Sequence, residues 1–203
     1  VLESGEILFT RWDNFGGRDA FSLYKINPNG TDLTLMYGYH SQDTGNANPE
    51  AHLVDLDLMP DGRVLAILRS RVSDRFSGDI VAIDIDNFID INTPTYANSG
   101  LAGPAQRSLS PLPVTTDPSL SAGGRYAAVY PLFDGTDRLF ISWTPCTVQN
   151  ASFNITPCEN DPGNTNETLL FGIWSYDSTA GTTIPIVAPE AGTVYTDIVV
   201  FEA

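Results

Sequence analysis

Apolar and polar residues alternate with a period of two along most of the chain, and Val, Ile, Phe, Tyr and Trp fill many of the apolar positions. That is the pattern of half-buried strands. It predicts strands at residues 6–12, 22–27, 33–38, 52–58, 63–69, 79–85, 125–131, 138–143, 169–176, 183–187 and 194–201. No run of 12 residues carries helical periodicity, so the chain reads as all-β. A sandwich, a barrel and a propeller are the architectures open to it. Asn27-Pro28-Asn29-Gly30-Thr31, Met59-Pro60-Asp61-Gly62-Arg63 and Phe133-Asp134-Gly135-Thr136-Asp137 each place Asn-Gly or Asp-Gly between two strand-like runs. Those dipeptides tolerate the positive φ of a tight hairpin. Tyr24-Lys25-Ile26-Asn27, Val81-Ala82-Ile83-Asp84 and Ile173-Trp174-Ser175-Tyr176-Asp177 each close an apolar run on Asn or Asp. The recurrence points to repeated four-stranded units joined by variable loops, as in a propeller.

His52-Leu53-Val54-Asp55-Leu56-Asp57-Leu58-Met59-Pro60-Asp61-Gly62-Arg63-Val64-Leu65-Ala66 and Asp79-Ile80-Val81-Ala82-Ile83-Asp84 resemble the first three strands of a TolB-like, WD-repeat-like propeller blade. Met59 stands where that family usually has Ser. Leu23 to Leu33 is similar to the same family's third strand, turn and fourth strand. Gly124-Arg125-Tyr126, Pro131-Leu132-Phe133-Asp134-Gly135-Thr136, Ile141-Ser142-Trp143 with Cys146, and Phe171 to Asp177 resemble propeller segments of secreted bacterial proteins related to the hydrazine synthase alpha subunit. The resemblance implies a partial β-propeller over residues 1–203: a first unit lacking its opening strand (5–38), a second over 50–118, a third over 121–190, and an extra strand at 194–201. About three blades cannot close a ring, so the expectation is part of a larger propeller completed by further blades.

Composition narrows the partners. Ten Lys plus Arg against 25 Asp plus Glu give a formal charge of −15, and Lys25 is the single lysine. Such a chain repels phosphate backbones, and no basic stripe offsets this, so nucleic acid is not an expected partner. Apolar runs are far shorter than the roughly 20 residues that span a bilayer, and no transmembrane segment is predicted. The opening Val1-Leu2-Glu3-Ser4-Gly5 has no charged n-region or apolar h-region, so any targeting peptide is expected to lie outside these residues. Cys146 and Cys158 fit no CxxC or CxxCH pattern and read as a disulfide, which implies an extracytoplasmic location: periplasmic, cell-surface or secreted.

Candidate chemistry is sparse. Asp55, Asp57 and Asp61 alternate along a strand into its turn, and Asp55 and Asp57 are expected on one face, where carboxylates would suit Ca²⁺. Their spacing matches no EF-hand loop, and the competing reading is a turn former and a solvated face. His40 and His52 are the only histidines, and no Gly-x-Ser-x-Gly elbow exists, so no catalytic residue is assigned. Arg11-Trp12-Asp13 joins an aromatic anchor to two charges, the type enriched at binding hot spots, and is the predicted partner contact. Sequons at Asn29, Asn150, Asn154 and Asn166 would mark glycosylated surface loops in an organism with that machinery. The expected role is therefore a non-catalytic binding or scaffolding module whose partner is a protein or the remaining blades. Two alternatives stay open: a propeller domain of a larger secreted redox enzyme whose catalytic centre lies elsewhere, and an extracellular structural or filament subunit.

Overall fold

A computed structural model describes residues 1–2, 4–46, 50–72 and 76–200. The chain is all-β and forms three antiparallel meander sheets in sequence order, beside a small two-stranded ribbon. The first sheet holds β1 (Ile7–Phe15), β2 (Arg18–Ile26) and β3 (Thr34–Tyr37). The second holds β4 (Ala51–Leu58), β5 (Val64–Ser70), β6 (Asp79–Ile83) and β7 (Gln106–Ser108). The third joins β8 (Arg125–Pro131), β9 (Arg138–Thr144), β12 (Gly172–Asp177) and β13 (Thr182–Val187). The ribbon pairs β10 (Thr147–Gln149) with β11 (Ile155–Pro157) between β9 and β12. Among the described residues the sheets form an open stack and no ring closes.

The second sheet lies in the middle, which its sequence explains. Val64, Ala66 and Leu68 of β5 enter one core with Leu23, Tyr37 and Leu53. Leu65 and Ile67, pointing the other way, enter a second core with Tyr126, Val129, Leu139, Ile141 and Tyr176. A strand buried on both faces is apolar throughout rather than alternating, as Val64-Leu65-Ala66-Ile67-Leu68 is. Each of the Val, Leu and Ile side chains among them contributes about 1.5–3 kcal/mol through burial. Backbone contacts join the sheets as well. Gly78 and Tyr126 exchange N–H···O bonds of 2.8 and 2.9 Å, and a Cβ on Gly78 would lie 1.9 Å from the Leu68 carbonyl oxygen, so only glycine fits.

The strand pattern departs from expectation in three places. β1 and β2 run on to a two-residue turn at Gly16-Gly17, both with positive φ, where a type I′ hairpin requires them. The expected first strand ends at Trp12, three residues short of the end of β1. β7, β10 and β11 are three residues each, too short to carry a period. The strand expected at 194–201 is not formed: residues 193–200 join no ladder, and Phe201 lies outside the described residues.

Arg125 anchors the loops around the third sheet. Its guanidinium bonds Glu167 at 2.7 Å, with both side chains 1% exposed. It also donates to the carbonyls of Thr115, Asp117 and Ser119 at 3.0, 3.1 and 2.6 Å. Glu167 in turn lies in an isolated bridge to Val148 of the ribbon, and the Cys146–Cys158 disulfide closes the ribbon's base. A loop this short gives about 3 kcal/mol in the chain-entropy account. Arg125→Met, which removes the guanidinium from a buried carboxylate, is expected to cost about 3–5 kcal/mol in urea unfolding; a loss below about 1 kcal/mol would show that the hub is dispensable.

Candidate interaction site

The β1–β2 hairpin presents its two faces to different surroundings. Strand alternation sends Trp12 to the side of the second sheet and Arg11 and Asp13 to the opposite side. Trp12 lies opposite Phe21 in the ladder, and their rings stack at 6.1 Å and 13°. Phe21 packs in turn on His52 of β4 at 5.0 Å. The Trp12 Nε1–H donates to Asp19 Oδ1 at 2.6 Å. Arg71, just beyond β5, donates to both oxygens of the same carboxylate at 3.2 and 3.0 Å. Its guanidinium carbon sits 5.5 Å from the Trp12 ring and 5.8 Å from that of Phe21. Hydrogen bonds from Arg71 and then Trp12 hold the Asp19 carboxyl below its ordinary pKa. Trp12 nevertheless remains 49% exposed, while Phe15 at the hairpin tip and Val72 and Phe76 after β5 are 60%, 66% and 68% exposed.

Arg11-Trp12-Asp13 therefore does not form one contact surface. Asp13 is buried at 2% exposure, accepts from the Tyr24 hydroxyl at 2.9 Å, and is paired with Arg11 at 2.9 Å. Trp12 is half exposed, and its charged neighbours in space are Asp19 and Arg71 rather than Arg11 and Asp13. The Trp12–Phe21 pairing follows from a hairpin at Gly16-Gly17, a signal present in the sequence. Nothing in the sequence brings Arg71 to it from 52 residues beyond Asp19.

The three carboxylates considered for Ca²⁺ are used separately. A bulge between Val54 and Asp57 breaks the alternation that was expected to align Asp55 with Asp57. Asp55, at φ 54°, accepts the Val129 backbone N–H across the sheet interface at 2.7 Å. Asp57 accepts the Leu58 N–H, and Asp61 holds Arg63 at 2.7 Å in its own turn. Among the described residues, no group of three or more His, Cys, Asp or Glu side chains is placed to hold a metal ion. Asp57 instead lines an open cleft of about 880 Å³ with Leu2, Met36, Met59, Ile85 and Phe133, where Lys25 is engaged by both oxygens of Glu6 at 3.0 and 3.1 Å.

His40 and His52 belong to different settings. The His40 backbone N–H bonds buried Asp90 at 2.8 Å. Burial, then Arg69 and Arg71, pushes the His52 pKa down to about 4, so the ring stays neutral in neutral solution. Trp143 and Trp174, on neighbouring strands of the third sheet, meet edge to face at 5.4 Å beside the second core. The sequons lie at the turn after β2, within the Cys146–Cys158 loop and in the segment that follows it: Asn29, Asn154 and Asn166 are exposed and Asn150 is half-buried.

Asp79, at the start of β6, is 8% exposed and accepts from the Ser108 hydroxyl at 2.9 Å. Burial dominates and raises its carboxyl to about 7. No family model, curated protein or solved structure matches the chain. Because the folded protein holds the Asp79 proton more tightly than the unfolded chain, stability is highest below pH 4 for this group and falls as pH rises from about 4 to 7. Asp79→Asn is therefore expected to raise stability at pH 8 by up to about 4 kcal/mol and leave it unchanged near pH 3.5. Urea unfolding at the two pH values checks this, and an equal effect at both would contradict it.

Proposed function

We propose that this chain is a non-catalytic, extracytoplasmic β-propeller module that binds or scaffolds a protein partner through the Trp12 patch. The carrying observation is the exposed Trp12 ring, stacked on Phe21, bonded by Asp19 and flanked by Arg71. Trp and Arg dominate binding hot spots, and a ring already held in place loses little freedom on association. The successive meander sheets, stacked face to face through two cores, support consecutive blades of a larger ring. The disulfide supports an oxidising compartment.

A photoreactive residue in place of Phe15, expressed in the native host, is expected to give a discrete cross-linked partner. The same residue in place of the exposed Tyr96, which lies in the loop after β6, serves as the comparison. Arg71→Ala should abolish the product while leaving the melting temperature within a few degrees. Equal products from both positions, or none from position 15, would overturn this assignment.

A further inference from the structure

The cleft of about 880 Å³ is walled by all three sheets. Its apolar lining comes from Met36 on β3, Leu58 and Met59 at the end of β4, Ile85 just after β6, and Phe133 in the turn between β8 and β9. Both methionines of the chain are therefore in it. Methionine is the most adaptable apolar side chain and suits a surface that must fit a guest. Pockets for small ligands are clefts of roughly 300–1,000 Å³ with mainly apolar walls and a few placed polar groups. None of these residues belongs to the Trp12 patch, so the two surfaces are separate.

The charges around the cleft do not balance. Lys25 is the one basic side chain in the lining, and both oxygens of Glu6 already hold it at 3.0 and 3.1 Å. Asp57 and Asp86 remain, and among the described residues neither is in an ion pair. Asp57 is oriented by the Leu58 N–H at 2.8 Å. Asp86 lies over the same hairpin turn, its Oδ2 3.8 Å from where a Cβ on Gly62 would stand. That turn is fixed by the Met59 N–H on the Arg63 carbonyl at 2.8 Å and the Gly62 N–H on the Met59 carbonyl at 2.9 Å. Two carboxylates thus sit on one rigid support beside an apolar wall.

We propose that this cleft binds a small organic cation, an ammonium group carried on an apolar ring or chain. The ammonium is drawn to the carboxylates of Asp57 and Asp86, and its apolar body covers Met36, Met59 and Ile85. Two carboxylates fall short of the six to eight oxygens that calcium takes, whereas an organic ammonium needs only one or two and gains from the apolar wall as well. Phe133, 52% exposed, supplies an aromatic ring to which such a cation is also attracted.

The two methionines make the test direct, because carbon-13 labels on their methyl groups give two signals that both report on the cleft. Phenylbutylamine, phenylbutanol and phenylbutyrate share one apolar body and differ in charge. The amine is expected to move both methyl signals saturably and to bind about tenfold or more tightly than the alcohol, while phenylbutyrate moves neither. Asp57→Asn and Asp86→Asn together should lower the affinity for the amine to that for the alcohol and leave the alcohol's own affinity unchanged, which shows that the cleft is still folded. Equal affinities for amine and alcohol in the unsubstituted chain, or methyl signals that no probe moves, overturn the proposal. Tight amine binding that survives the double substitution overturns it as well.

Discussion

Burial of the second sheet on both faces is the constraint on which the rest of the structure depends. β5 and β6 send alternate residues into two separate cores, so the first and third sheets are each held by one side of the same strands. Neither outer sheet has such a partner on its far side among the described residues. A substitution at Ile67 or Leu68 thus weakens one specific interface, and the stack has no redundancy at its centre. The reciprocal Gly78–Tyr126 bonds and the Asp55–Val129 bond fix how the third sheet is set against the second, because hydrogen bonds have directions that apolar contacts lack.

The long connections of the third unit are ordered by polar rather than apolar contacts. One buried guanidinium satisfies a carboxylate and three loop carbonyls at once, which joins the 115–119 loop to the disulfide-closed excursion. That arrangement is costly to desolvate and tolerable only because nearly every donor finds an acceptor. The two ends of the excursion are tied to each other at Thr147–Thr168 and Val148–Glu167 while its tip stays in solvent. A rigid base with an exposed tip is the usual form of a binding loop.

The Trp12 patch has the same logic on a smaller scale. Asp19 accepts from both Trp12 and Arg71, so a single carboxylate sets the orientation of the aromatic anchor and of its cationic neighbour. His52 beneath them is kept neutral by burial and by two arginines, which leaves the patch with a steady charge through the neutral range. The depressed His52 pKa and its surroundings suit packing better than proton transfer.

Much of this was legible in the sequence. The strand class, the Asn-Gly and Asp-Gly hairpins and the Cys146–Cys158 pairing follow from period, turn chemistry and cysteine count, which are local properties of the chain. The short strands β7, β10 and β11 were not legible, because three residues define no period. The separation of Trp12 from Arg11 and Asp13 follows from alternation on β1 once the hairpin is placed at Gly16-Gly17. What only the tertiary structure decided is which distant groups meet: Arg71 with Asp19, Arg125 with Glu167, Asp55 with the Val129 amide, and the burial that raises Asp79. Local sequence sets backbone geometry through φ preferences and side-chain alternation. The meeting of groups tens of residues apart depends on how sheets twist and stack, and that is set by the summed packing of all three.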